Sequence, residues 1–366
     1  MNRLYLDHNA TTPLRAQARE AMVAAMDIAG NPSSVHAEGR AAKMLVEHAR
    51  TRVAELVGCK PQQVIFTSSA TEAAALAVAQ KHHHGGVFGA LPTEHDCLEV
   101  WSDVALPGLY GKNGKTVRNE GDILHGGLLA ISAANSETGI LRSNARVAGS
   151  GEGYSTVCDI TQLVGKMSVT YEGIAPSYAI LSAHKIGGPK GVGALINFTA
   201  DDPAPILRGG GQEMNRRSGT ENVIGIAGFG AAAQAARQDI SSGRWDEVAQ
   251  IRDILEDAIV DASKHTIFVG KDVPRLPNTT CILTPNWKGE TQVMQMDLAG
   301  FAVSAGSACS SGKVRASKVL LAMGFDEIEA ASAIRVSLGL ETTKEDVLRF
   351  ADVWAAKFEK HQKRAA

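Results

Sequence analysis

Apolar positions along the chain follow two rhythms. "RAQAREAMVAAMDIA" and "GRAAKMLVEHARTRVAELVG" place them three and four residues apart, the spacing of one helix face, and the second stops at Gly58. "QVIFTS" is a short unbroken apolar run and predicts a buried strand; "ATEAAALAVAQKH" returns to helical spacing. Further strands are predicted at "GVFGAL", "LLAISAA", "STVCDI", "YAILSA" and "GALINF". Short apolar strands interleaved with helices predict an α/β fold, a mostly parallel sheet covered on both faces. After "NVIGIAGFGAAAQAARQ" the pattern changes. A helix over about 246–263 leads to strand-like "TIFVG", "TTCILTP", "FAVSAG" and "AIRVSLG", read as a smaller α+β domain. The Gly-rich "RGGGQEMNRRSGT" reads as a loop, not a linker between independent domains.

Composition narrows the class without changing that picture. The chain has 366 residues, 44% hydrophobic and 21% charged, ordinary for a globular protein with a large and a small domain. A net charge of −2 gives no reason to expect nucleic acid or an anionic membrane as partner. No apolar stretch is long enough to span a bilayer, and "MNRLYLDHNATTPL" lacks the apolar core of a secretory leader, so a cytoplasmic location is expected. The five cysteines are scattered, with no CxxC pair. A disulfide framework is not expected, and thiol chemistry stays open. The run His82–His84 is read as a solvated helix end, since adjacent histidines rarely converge on one metal ion.

Four segments carry candidate chemistry. In "SAHKIGGPKGVGAL", Lys185 follows an apolar strand, where burial lowers an amine's pKa and suits it to Schiff-base chemistry. The plainer alternative is a surface lysine in a turn. In "FTSSATEAAALAV" a strand ends in small hydroxyl residues and a helix starts near Ala70 or Thr71, so free amides there can bind an anion. Ser69 and Glu72 equally fit a simple capping box. In "VCDITQLVGK", Asp159 sits at a strand's C-terminal end, the ligand edge of open α/β sheets, or it is a helix cap. His95 in "PTEHDCLEV" can stack on an aromatic cofactor or be a structural histidine.

Taken in order, ten motifs resemble one family: "YLDHNATTPL", "GNPSSVHAEGR", "SSATEAAAL", "TEH", "NSETG", "DITQLVGK", "SAHKIGGPKGVGAL", "RRSGTENV", "GSACSSG" and "IRVSLG". The chain is similar to the cysteine desulfurases, class V aminotransferases of fold-type I, in the branch serving iron–sulfur cluster and nitrogenase assembly. The resemblance implies a large domain with a mostly parallel seven-stranded sheet over 14–240, and a small domain from 1–13 and 241–366 that carries the catalytic cysteine loop. It implies pyridoxal 5'-phosphate held covalently by Lys185, with Asp159 on the pyridine nitrogen, Gln162 on the phenolic oxygen and His95 stacked over the ring. Ala70 (through its backbone), Thr71, Ser182 and His184 would hold the phosphate. Thr220 would reach the phosphate of a neighbouring subunit, which implies a homodimer. Asn135 and Arg335 would grip the substrate carboxylate, with Asn31 near them.

Cys309 would accept the sulfur. L-cysteine would become L-alanine, Lys185 would remove the Cα proton, and the Cys309 persulfide would pass sulfur to an iron–sulfur scaffold or another acceptor protein. No metal is expected in the free enzyme, although Cys309 would contact a cluster transiently during sulfur transfer. Composition agrees with an exposed thiol: "SAGSACSSGKVRASKV" is small, polar and basic around Cys309, whereas Cys97, Cys158 and Cys281 have apolar neighbours and read as core. Gly187 departs from the family, which commonly has a bulkier residue there, and "RVAGSGEGYSTVCD" and "KHHHGGVFGALPTEH" look trimmed. A pyridoxal phosphate lyase acting on cysteine, cystine or selenocysteine, a class V transaminase, and a non-catalytic assembly protein of the same fold remain as alternatives.

Overall fold

The computed structural model describes residues 3–118, 124, 126–142, 146–147, 153–171, 175–306 and 316–365. From the N-terminus run β1 (Leu4–Tyr5), α1 (Ala16–Met26), α2 (Ala37–Val57), β2 (Val64–Thr67), α3 (Ala70–Val78), β3 (Phe88–Ala90), α4 (Asp96–Glu99) and β4 (Leu128–Ser132). Next come β5 (Arg146–Val147), β6 (Ser155–Asp159), β7 (Thr170–Tyr171), β8 (Tyr178–Ser182), β9 (Gly193–Asn197), α5 (Val223–Ser241) and α6 (Arg244–Ala262). The C-terminal part holds β10 (Ile267–Phe268), β11 (Thr279–Leu283), α7 (Gly289–Leu298), β12 (Phe301–Ala302), β13 (Ser304–Ala305), α8 (Lys318–Ala322), α9 (Glu327–Ala330), β14 (Ala333–Ser337) and α10 (Lys344–Ala365).

The main sheet has the order β2-β9-β8-β6-β4-β3 among the described residues. Strands β8, β6, β4 and β3 are parallel, and β9 runs antiparallel to both its neighbours. Within β8 the side chains alternate. Ala179 and Leu181 join the cluster containing Val46 and Val53 of α2 and Phe229 of α5; Tyr178 and Ile180 join Leu76 and Val78 of α3. Both faces are therefore covered, which is why these strands read as continuous apolar runs. The resemblance implied seven strands; six are found among the described residues. Residues 103–118 contain Pro107, Gly108, Gly111 and Gly114 and make one bridge, Tyr110 to Thr116. Proline removes a ladder donor and glycine weakens a strand, so the stretch does not extend the sheet.

A second sheet, β10-β11-β14-β13, is antiparallel throughout. It shares a separate apolar cluster with α6 and α10, centred on Trp287, Trp354, Phe350 and Phe301. The N-terminal strand belongs to this region: β1 pairs with β12, and Asp7 bridges to Ser337. The chain then leaves it and passes the C-terminal edge of the main sheet, where Thr12 N–H donates to the His184 carbonyl at 3.0 Å. The histidine run forms a short 3₁₀ turn. His82 and His83 are exposed, but His84 hydrogen-bonds Ser155 Oγ (2.9 Å) and the Tyr178 hydroxyl (3.2 Å), so it tethers the turn to the sheet instead of being solvated.

Candidate active site

Strands β4, β6 and β8 end side by side at Ser132, Asp159 and Ser182, with Asp159 in register with Ser132 and Ile180. Their carboxyl ends open into a cavity of about 450 Å³. Its wall includes Ala70, Thr71, His95, Asp159, Gln162, Ser182, His184, Lys185 and Arg335, which the sequence disperses over more than 260 positions. Asn31, Asn135 and Thr220 are not among its lining. Asn31 is exposed and its Oδ1 accepts from Ser33 N–H. Asn135 is committed to a turn: Oδ1 accepts from Glu137 and Thr138, and Nδ2 donates to the Thr93 carbonyl at 3.1 Å. Thr220 is exposed. Cys309 lies outside the described residues.

Lys185 sits in a 3₁₀ turn, Ala183–Ile186, directly after β8. Its Nζ donates to the carbonyls of Asn9 (2.6 Å) and Ala10 (2.9 Å). Burial, then the nearby Arg335 cation, pushes its amine down to about 8, against the opposing pull of Asp159, Asp7 and Cys97. The turn is gripped from outside. Thr12 Oγ1 donates to the Lys185 carbonyl at 3.0 Å, and Arg15 donates through Nε to the Ile186 carbonyl (2.7 Å) and through its amide to that of Gly187 (2.9 Å). Arg15 is itself fixed by a 2.6 Å ion pair with Asp239 at the end of α5. This explains Gly187: its φ is +79°, and a Cβ there would lie 2.6 Å from Arg15 Cγ. The guanidinium arm occupies the room a bulkier residue would need.

At the opposite wall, α3 begins after Ser69. The first four amides of a helix have no intrahelical acceptor. Ser69 Oγ takes that of Glu72 and the Ser69 carbonyl that of Ala73, which leaves those of Ala70 and Thr71 for an anion in the cavity. The expected capping box is half formed, because Glu72 reaches the amide of Ser68 (2.7 Å) and pairs with Arg217 (2.8 Å). Asp159 is buried, and its Oδ1 accepts from Thr161 N–H at 2.8 Å. His95 Nδ1 accepts from Cys97 N–H at 3.1 Å, so a neutral imidazole carries its proton on Nε2.

Arg335 enters from β14 of the second sheet. Its Nη2 pairs with Asp7 at 2.7 Å and its Nη1 donates to the Ser136 carbonyl at 3.0 Å. Its Nε is buried with no partner among the described residues. The sequence reading overlooked three contributors here. Asp7 fixes Arg335, while Ser304 Oγ donates to its second oxygen at 2.8 Å. Asn9 supplies the carbonyl that receives Lys185 and also Gln162 Nε2 (2.9 Å). Glu94 is buried beside Ser132, whose hydroxyl bonds it, and burial pushes its carboxyl up to about 7. All three lie inside quoted motifs, but only the placement of the N-terminal segment across the sheet edge reveals what Asp7 and Asn9 do.

The comparisons fit this geometry. The sequence matches the Aminotransferase class-V family over residues 4–108 and 124–350. The chain belongs to the aminotransferase class-V family. Its relatives there include a cysteine desulfurase of Frankia sp. (strain EuIK1), 36% identical with 96% of this chain and 90% of the relative covered. Another is cysteine desulfurase IscS of Dictyoglomus turgidum, 33% identical over 96% of this chain and 93% of the relative. Among solved structures, the NifS-like protein from Rickettsia africae ESF-5 superposes with a TM-score of 0.83 at 29% identity, covering 98% of this chain and all of the other.

Class-V aminotransferases use pyridoxal phosphate, and the residues present fit it. The cavity joins the half-buried Lys185 amine, the buried Asp159 carboxylate at the sheet edge and two amides at a helix N-terminus. The backbone around those amides is closely packed: a Cβ on Gly193 would lie 2.8 Å from Ala70 N and 2.5 Å from Ser69 C. A larger residue there would displace the turn that offers them.

Proposed function

We propose that the protein is a pyridoxal-phosphate-dependent cysteine desulfurase that converts L-cysteine to L-alanine and takes the sulfur onto Cys309. The observation that carries this reading is Lys185: a half-buried amine, lowered to about 8, sharing one cavity with Asp159 and Arg335, in a chain whose relatives are cysteine desulfurases. Lys185 would hold the cofactor, with Asp159 at the pyridine nitrogen, Gln162 at the phenolic oxygen and Ala70, Thr71, Ser182 and His184 at the phosphate. When bound, pyridoxal phosphate supplies the electron sink that makes the Cα proton of an amino acid removable.

The chain's own residues do the rest. Arg335, steadied by Asp7, offers a planar fork to the substrate carboxylate. Lys185 takes the Cα proton, which an amine near 8 can do close to neutral pH. His95 handles the proton at the substrate thiol. The Cys309 thiolate attacks the substrate sulfur: a sulfur–sulfur bond forms, the Cβ–sulfur bond breaks, and its electron pair with a proton completes the methyl group of alanine. Burial raises the thiols of Cys59, Cys97 and Cys281, and Cys158 is wholly buried in β6, so these four are poor nucleophiles. That leaves Cys309. The reading includes a homodimer completed by Thr220, an iron–sulfur scaffold or another sulfur-acceptor protein, a cytoplasmic setting, and a large unit over 14–240 beside a small one from 1–13 and 241–366.

The deciding experiment incubates the cofactor-loaded protein with L-cysteine and measures alanine. Wild type yields alanine and an added sulfur on Cys309 by mass spectrometry, while Cys309→Ser binds cofactor yet releases almost no alanine. Undiminished alanine from Cys309→Ser defeats the persulfide route, and pyruvate with ammonia in its place identifies a lyase.

A further inference from the structure

Lys166 is buried, 3% exposed, seven residues beyond Asp159 in the chain. It makes no ion pair with a carboxylate among the described residues. Its Nζ donates instead to two oxygens of a single residue, the Gln162 carbonyl at 2.9 Å and the Gln162 side-chain Oε1 at 3.1 Å. Gln162 borders the cavity, and its Nε2 donates to the Asn9 carbonyl at 2.9 Å, the same carbonyl that receives Lys185. The ends of a glutamine amide have nearly the same shape, and only their partners decide which way round they sit. An ammonium group has three donors and no acceptor. Turning the Gln162 amide over would set its NH₂ against the Lys166 ammonium and its oxygen against the Asn9 carbonyl, two mismatches in a buried place.

We propose that Lys166 is a positioning residue that locks the Gln162 amide with its N–H groups toward the cofactor's phenolic oxygen and stands as a positive charge behind it. The inference rests on the pyridoxal phosphate reading of the cavity and assigns a role to a residue that reading leaves idle. The Lys166 turn also touches the cofactor lysine's own turn: Gly165, at φ +78°, packs so close that a Cβ would lie 2.5 Å from Ile186 Cγ2. Charged and titratable groups acting on this spot are Lys185 and Arg335, both cations, and His8, whose ring burial and the Lys166 charge hold down to about 4. Without the cofactor, burial and those two cations push the Lys166 amine down to about 7; an anionic phenolic oxygen across Gln162 raises it again and keeps the ammonium that the lock requires.

The consequence is spectroscopic. Protonated, the nitrogen joining Lys185 to the cofactor shares its proton with the phenolic oxygen. Deprotonated, it leaves that oxygen as a bare anion. A cation and an N–H donor aimed at the oxygen favour the deprotonated form and lower the pH midpoint of the visible absorption band. Removing them raises it. The test titrates that band in wild type, K166M and K166Q loaded with pyridoxal phosphate. K166M, which loses both charge and donor, moves the midpoint up by about one pH unit, and K166Q, which loses the charge, moves it in the same direction by less. A wild-type midpoint in folded K166M overturns the proposal; should K166M not fold, a wild-type midpoint in K166Q does so. If wild type forms no lysine-bound band with pyridoxal phosphate, the cofactor reading fails first and takes this inference with it.

Discussion

At the scale of the residue, Lys185 and its neighbours turn ordinary side chains into reagents. The free lysine amine is protonated until about pH 10.5, yet burial and Arg335 bring Lys185 down to about 8. The neutral amine is the nucleophile, and its fraction grows as pH climbs through the midpoint. The cofactor-free protein is therefore expected to combine with pyridoxal phosphate at a rate that rises through about pH 8 and then levels. A stopped-flow series against pH checks this, and a rise centred near 10.5 contradicts it. Arg335 invites a complementary test. Arg335→Lys keeps the charge and loses the fork, and Asp7→Asn keeps the fork and loses its brace. Both are expected to raise KM for cysteine, about tenfold or more for the lysine variant, given charge-assisted bonds of about 1.5–3 kcal/mol, with cofactor content unchanged. Steady-state kinetics with the cofactor band as control reads the split, and an unaltered KM removes Arg335 from the carboxylate site. Lys185 and Asp159 stand out in the sequence because each follows or ends an apolar strand run, whereas Arg335 is named only through the family resemblance. The Arg15–Gly187 fit does not stand out, because it joins residues 172 positions apart and neither one alone signals the other.

At the scale of the element, the main sheet was read from its apolar runs because strands buried on both faces leave no other pattern. Helix α5 was harder, since "VIGIAGFGAAAQAARQ" has too few large residues to show a face. Its small residues are there for contact. A Cβ on Gly230 would sit 2.5 Å from Ala49 Cα, and one on Gly228 would sit 2.6 Å from Met22 Cγ, so α5 nests directly against α2 and α1. Gly230→Val must push α5 and α2 apart. The expected loss is about 1–3 kcal/mol, the usual range for overpacking, seen as a lower thermal midpoint with the cofactor band unshifted. A variant as stable as wild type would show that the two helices have slack between them. The edge of the sheet is less legible: six strands are found among the described residues, and Pro107 with the glycines of 103–118 keeps that stretch out of the ladder.

At the scale of the whole molecule, one residue ties the two sheets together. Asn9 donates from Nδ2 to Thr279 Oγ1 (2.9 Å) and the Ser136 carbonyl (3.2 Å), accepts from Asn278 at Oδ1 (3.2 Å), and donates from its backbone N–H to Ser337 Oγ (3.0 Å). It is 1% exposed, so Asn9→Ala strands several buried groups at once. The expected effect is a loss of about 2–4 kcal/mol in denaturant unfolding, together with weaker cofactor binding because the Asn9 backbone also receives Lys185 and Gln162. Wild-type stability in that variant would mean water replaces the side chain. Sequence alone could not show this arrangement, since a polar segment between two predicted elements carries no sign of what it passes.

That passage of the N-terminal segment also sets an order in time. Asp7 meets Arg335 328 residues later, and Asn9 meets Ser337 after the same interval. A ribosome adding about 5–20 residues per second needs roughly 15–65 s to cover that interval. Throughout it Asp7 and Asn9 lack the β14 partners that fix them, although His184 and Lys185, the residues that meet Thr12, are made earlier. The strands and helices of the main sheet are already synthesised, so the newborn chain can hold a folded body with an unfinished mouth. Catalytic competence then arrives late and all at once, when the last strand threads beside the first. A nascent chain stalled before residue 333 is expected to resist protease in its sheet while its leading segment is cut, and a leading segment already protected at that length would show that it finds another place to wait.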